Sequence, residues 1–245
     1  MGFKEQLEAA NAGDANAQVA MGYMFFTGDG VVRDRVEAGR WFEFAAENGN
    51  AEAMCNLGYM KVHGEGVPCD PEGGFDLYRK SAEAGYARAM FNLADLYSEG
   101  FGTEQNWDSA RYWYKRAAEQ GSIPACYRLG VIYETGRGTE PDYGKSVRIY
   151  TKCFDEGYSK AGFRLGMMYF EGRGFPKNPD KAAEILIKAA EMRSADAMCQ
   201  LGKMSMSGEG MAKSLRNARS WFSKAAARGN KEAKTILESN TFDGL

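Results

Sequence analysis

Apolar residues recur along this chain at helical spacing, and the whole pattern repeats every 36 residues. Ala17, Met21 and Gly22 return as Ala53-Leu57-Gly58, Ala89-Leu93-Ala94, Ala125-Leu129-Gly130, Ala161-Leu165-Gly166 and Ala197-Leu201-Gly202. Residues four and five apart share one face of a helix, so these columns predict an amphipathic segment, helix A. Six residues after each small position stands a Gly-x-Gly pair: Gly28/Gly30, Gly64/Gly66, Gly100/Gly102, Gly136/Gly138, Gly172/Gly174 and Gly208/Gly210. A second stripe follows, with a large apolar column of Trp41, Leu77, Trp113, Ile149, Ile185 and Trp221 and mostly small residues four and five positions later. That stripe predicts helix B. Another glycine closes it at Gly49, Gly85, Gly121, Gly157 and Gly229, with Arg193 as the exception.

The polar positions fit the same frame. Asp34, Asp70, Asn106, Asp142, Asn178 and Ser214 stand where helix B begins, so each is expected to cap unpaired backbone N–H groups. The closing glycines suit the left-handed conformation after a helix, which other residues adopt at a cost. One hairpin cannot bury its apolar face alone, so the periods must stack. The prediction is an all-α chain: one solenoid over 1–245 with six repeats at 14–49, 50–85, 86–121, 122–157, 158–193 and 194–229. Residues 1–13 and 230–245 are half-repeat caps, with a frayed tail from Thr241 to Leu245. Gly73-Gly74, together with Gly144, Cys153 and Phe154, mark the helices B of repeats two and four as softer.

Composition narrows the function. The chain has 31 basic and 33 acidic side chains, a balance that argues against nucleic acid or a membrane surface as the partner. No stretch approaches the ~18 apolar residues of a membrane-spanning helix, and the first residues do not form a secretory signal. Five cysteines (Cys55, Cys69, Cys126, Cys153, Cys199) show no zinc-type spacing, and four of them fall inside helical patterns as small apolar residues. A cytoplasmic, reducing setting is expected.

The motif A-x-x-x-L-G-x-x-Y-x-x-G-x-G, intact at Ala125–Gly138 and Ala161–Gly174, resembles the Sel-one-like repeat, a relative of the tetratricopeptide repeat. The continuation W-x-x-[KR]-A-A-x-x-G, at Trp113–Gly121 and Trp221–Gly229, resembles it too. The resemblance implies a right-handed α/α superhelix with helices A lining its concave face. It also implies an adaptor or assembly platform, as some bacterial members act as immunity or virulence factors.

Candidate chemistry is thin. The Gly-x-Gly pairs lack the strand, third glycine or Gly-Lys-Ser/Thr context of a phosphate loop. His63 is the sole histidine and has no partner motif for a hydrolytic triad. No enzyme activity, cofactor or metal is expected, and the expected partner is another protein or peptide. Its contacts are sought in the helix A columns that vary between copies: Tyr23, Phe26, Tyr59, Phe91, Asn92, Asp95, Tyr127, Arg128, Glu134, Phe163, Arg164 and Phe170. Aromatic residues beside arginine are typical interface anchors. Phe91, Tyr127 and Phe163 could equally pack between neighbouring A helices. The arginines are expected to be exposed, so that Arg128→Glu with Arg164→Glu keeps the fold and loses the partner. The alternative is a structural part in a larger assembly, using the convex face or the caps.

Overall fold

The computed structural model describes residues 2–239 and 242, and among them it has fourteen α-helices and no strand. After α1 (Phe3–Asn11), the repeats fold as helix pairs: α2 (Ala15–Thr27) with α3 (Arg35–Glu47), α4 (Ala51–His63) with α5 (Pro71–Glu83), and α6 (Ala87–Glu99) with α7 (Trp107–Glu119). The series continues with α8 (Ile123–Thr135) and α9 (Tyr143–Asp155), α10 (Ser159–Glu171) and α11 (Pro179–Glu191), and α12 (Ala195–Ser207) and α13 (Leu215–Ala226). It ends with α14 (Lys231–Glu238). The chain divides into two compact units, Met1–Ala125 and Cys126–Leu245, with the division inside α8.

Helix boundaries follow the polar and glycine columns. Asp34 accepts from the backbone N–H groups of Val36 and Glu37, Asp70 from Gly73, Asn106 from Ser109, Asp142 from Lys145, Asn178 from Lys181 and Ser214 from Asn217. Each contact satisfies donors that a helix start leaves unpaired, typically a contribution of about 1 kcal/mol. All five closing glycines have positive φ, and Arg193 shares that conformation at φ 68°, alone among the described non-glycine residues. At Gly66, Gly102 and Gly210 the second glycine of the loop has a further reason that single-repeat reasoning does not reach. A Cβ at Gly66 would lie 2.3 Å from the Arg35 carbonyl oxygen, and one at Gly102 2.3 Å from that of Pro71. In unit 2, a Cβ at Gly210 would lie 2.3 Å from the Pro179 carbonyl oxygen. These loops rest on the start of the preceding helix B, so they carry stacking as well as a turn.

The core between paired helices is built from a column the sequence pattern left in the shade of its neighbour. Phe42, Tyr78, Tyr114, Tyr150, Leu186 and Phe222, each one residue after the large apolar column, are all at most 2% exposed. Burying a side chain of this size contributes about 2 to 3 kcal/mol. Each lies against the small residue of helix A: a Cβ would come within 2.5 Å of Phe42 at Gly22, 2.6 Å of Tyr150 at Gly130 and 2.7 Å of Phe222 at Gly202. The column before it is only partly buried at Leu77, Trp113, Ile149 and Trp221. In repeat two the glycine pair also has a packing role, because a Cβ at Gly74 would lie 2.9 Å from the Gly58 carbonyl oxygen.

Both ends use the same devices. Ala10 packs with Ala17, Met21 and Trp41, and Gly13 has φ 92° like the other closing glycines. Ala233 is buried in the unit 2 core. The tail expected to fray is described only at Phe242, which is buried, its ring centre 6.0 Å from that of Phe222. A free aromatic ring next to an apolar core gains by burial. The other tail positions lie outside the described residues.

Candidate protein-binding surface

In unit 1 the varying faces of α2, α4 and α6 enclose two adjoining spaces. The first, about 310 Å³, is walled by Tyr23, Phe26, Phe42, Tyr59 and Met60, with Asn56 and Arg88 as its polar groups. The second, about 420 Å³, shares Tyr59 and adds Val62, His63, Tyr78, Asn92, Asp95, Leu96, Glu99 and Phe101. Tyr59 is thus the partition between them. Its ring meets Phe26 edge-on at 6.5 Å and lies 4.4 Å from His63.

The walls are held from behind. The Tyr23 hydroxyl donates to Glu52 Oε1 at 2.8 Å and accepts from Asn56 Nδ2 at 2.9 Å. Burial, with help from Glu52, holds that hydroxyl's pKa above its ordinary value. The Arg35 guanidinium lies over the Phe26 ring at 5.4 Å and pairs with Glu65 at 3.1 Å. An apolar recess with a few fixed polar groups is the usual form of a recognition pocket.

Of the residues singled out by sequence, Tyr23, Phe26, Tyr59, Asn92 and Asp95 line these spaces. Phe91 is half-buried, its ring 5.9 Å from that of Tyr114. Arg88, Glu99 and Phe101 were missed because they stand at helix ends and in a loop, outside the columns compared between copies. His63, for which the sequence offers no catalytic partner, is exposed but forms part of the wall.

Unit 2 places its predicted residues differently. The Glu134 side chain is fully buried and accepts from Tyr150 Oη at 2.7 Å and from Arg173 Nη1 at 2.6 Å. Arg164 Nη1 stands 3.6 Å from the same carboxylate, and its side chain is 37% exposed. Arg164 is therefore already paired inside the protein, and a glutamate there would set a second carboxylate against a buried one. The expectation that such a reversal leaves the fold untouched is withdrawn for Arg164. Arg128 is exposed. Tyr127 sits between Tyr150 and Tyr158, with ring centres 5.7 and 5.2 Å away. Phe163 and Phe170 pack partly buried against the core, with the Lys177 ammonium 5.5 Å over Phe170.

The buried tyrosines explain part of this difference. Tyr114 donates to Asp95 and Tyr150 to Glu134. Burial pushes the Tyr78 and Tyr150 hydroxyls far above their usual ionisation range. A buried hydroxyl needs a partner, and for Tyr114 and Tyr150 the partner comes from a varying column of helix A.

A model of the Sel1 repeat matches residues 15–50, 51–86, 87–122, 123–158, 159–194 and 195–230, nearly the whole chain. The chain belongs to the Sel1 repeat family. Its fold is accordingly that of an all-α Sel1 solenoid. A Sel1 repeat protein from Oxalobacter formigenes is 30% identical, over 92% of this chain and 88% of its own, with a TM-score of 0.81. A protective antigen of uropathogenic Escherichia coli strains, which displays the same fold, is 31% identical with a TM-score of 0.67. It matches 99% of this chain, which spans only 60% of that protein's length. An immunity protein from Pseudomonas aeruginosa shares the fold at 18% identity and a TM-score of 0.52, over 94% of this chain and 88% of its own. No curated protein sequence matches the chain. Sel1 repeats mediate protein–protein interaction, and the family is generally a non-catalytic scaffold family. Among the described residues, no helix is long and apolar enough to cross a membrane, and no three His, Cys, Asp or Glu side chains cluster as a metal site would require.

Proposed function

We propose that this Sel1 chain is a non-catalytic adaptor whose unit 1 binds a segment of a partner polypeptide along α2, α4 and α6. An apolar side chain of the partner fills the space walled by Tyr23, Phe26 and Tyr59. The observation that carries this is Tyr59, one half-buried ring shared by two adjoining recesses. Interface energy concentrates in such aromatic-lined, desolvated pockets. The paired Arg164 takes less part than sequence alone suggested, since its charge is already answered by Glu134.

The test starts from peptides selected on the full chain from a displayed random library. Tyr59→Ala is expected to weaken them by about thirtyfold, equivalent to about 2 kcal/mol, while leaving the helical circular dichroism unchanged. Phe170→Ala, in unit 2, serves as the control and leaves their affinity as it was. Selected peptides that bind Tyr59→Ala as tightly as the original chain would overturn the assignment.

A further inference from the structure

The two recesses of unit 1 meet opposite charges at the two ends of α6. Arg88, the second residue of that helix, lines the first recess, and Glu99, its last, lines the second. Eleven positions span about three turns, so the two share one face of α6 and stand about 16 Å apart along its axis. Both are exposed, and neither forms an ion pair among the described residues. Asp95, the other acid bordering the second recess, is engaged by Tyr114.

The stability of α6 does not call for these charges. A helix dipole disfavours a cation in the first turn and an anion in the last. α6 has no acidic residue in its first turn and no basic residue in its last. The position of Arg88 carries the favourable sign elsewhere, as Glu52, Asp196 and Glu232. Repeat five has the same reversal, in Lys160 and Glu171, but there Glu171 pairs with Arg173 at 2.6 Å. In repeat three a local preference is broken with no ion pair in return, and positions of that kind mark functional sites.

We infer that unit 1 recognises a dipolar segment: an aspartate or glutamate of the partner meets Arg88, a lysine or arginine meets Glu99, and the apolar side chain between them packs against Tyr59. This rests on the adaptor reading above and adds the partner's chemistry to it. Tyr59 divides the recesses, so the apolar residue falls between the charged ones. An extended chain rises about 3.3 Å per residue, so the two charges stand about five residues apart in the partner. Opposed charges at the two ends set the direction in which the segment lies and reject segments of the wrong polarity.

The experiment uses peptides selected on the full chain from a displayed random library, then synthesised with both ends blocked so that only side chains carry charge. Those weakened by Tyr59→Ala are expected to hold an acidic and a basic residue about five positions apart, with an apolar residue between. Arg88→Glu and Glu99→Lys should each weaken such a peptide about tenfold at low salt, and less as salt rises. Both substitutions suit the helix dipole, so the circular dichroism should be unchanged and unfolding does not explain the loss. The decisive arm exchanges the charge on the peptide. Replacing its acidic residue by lysine should restore binding to Arg88→Glu and weaken binding to the original chain. Tyr59-dependent peptides without the charge pair, or no restoration by the exchanged peptide, overturn this inference and leave the adaptor reading standing. Selected peptides indifferent to Tyr59→Ala overturn both.

Discussion

Repeats three and four, one in each unit, meet the same requirement with different residues. Each buries a tyrosine from helix B against the small residue of helix A, and each must give the hydroxyl a partner. In repeat three the partner is Asp95, which also borders the open recess of unit 1. In repeat four it is Glu134, fully buried and tied to two arginines. The same family frame thus leaves a lined space in one unit and a closed ionic network in the other. In unit 2 a space of about 490 Å³ lies beside Lys203, Met206 and Ile236, and none of the predicted residues lines it. A varying column is therefore not by itself a binding column; it can be taken up by a neighbour's buried polar group.

The sharpest way to break this comparison is to substitute the matched positions Glu134 and Ser98, which stand 36 residues apart. Glu134→Ala leaves the Tyr150 hydroxyl and two guanidinium groups without their common acceptor. Loss of a buried ion-pair partner costs about 3 kcal/mol, at the low end of the usual range here because both arginines are partly solvated. Ser98→Ala removes only a hydrogen bond to the Asp95 carbonyl in its own helix and should stay within about 0.5 kcal/mol of the original chain. Urea denaturation followed by circular dichroism should show an early transition for the first variant alone. Equal midpoints would mean that the Glu134 network adds nothing to the stability of unit 2.

A second comparison concerns the small residue itself. A Cβ at Gly130 would lie 2.6 Å from the Tyr150 ring, so Gly130→Ala forces that ring, and with it the bond to Glu134, to move. The expected loss is about 2 kcal/mol, as for other overpacked cores. Repeat three already holds a buried Ala94 at the matching position, so the reverse change, Ala94→Gly, should cost about 1 kcal/mol through helix propensity. A neutral Gly130→Ala would show that the ring has slack, and that the small column of unit 2 is not a packing requirement.

These contrasts also show where the sequence was legible. The N-cap column and the closing glycines are set by local backbone chemistry, so six caps and five left-handed glycines follow from spacing alone, whereas Arg193 is only the exception in that column and its positive φ comes from the structure. The packing column was harder. Trp41 and Phe42 are adjacent and both large, and periodicity within one helix cannot say which of two neighbours meets the opposite helix. The recess is a property of several helices together. Tyr23, Phe26 and Tyr59 were visible as varying columns, but Arg88 and Phe101 enter only when the chain folds. Glu134 looked like a surface acid for the same reason: its partners Tyr150 and Arg173 are 16 and 39 residues away. A buried tyrosine in helix B would have been the clue, because its hydroxyl needs an acceptor.

The smallest effect tests whether unit 2 departs from unit 1 in its turns as well as its polar network. Arg193 closes repeat five at φ 68°, where Gly121 closes repeat three at φ 85°. A Cβ at Gly121 would meet nothing within 4 Å, so the cost of a side chain in this turn is conformational rather than steric. Left-handed backbone is disfavoured for any residue with a Cβ by about 1 kcal/mol or more, and part of the gain from glycine is returned through its freer unfolded chain. Arg193→Gly should therefore raise stability by about 0.5 kcal/mol, and Gly121→Arg should lower it by a similar amount. Matching shifts of opposite sign in thermal denaturation would show that the two turns differ only in backbone preference. If Arg193→Gly lowers stability instead, the arginine side chain contributes a contact to unit 2 that outweighs the strain of its own backbone.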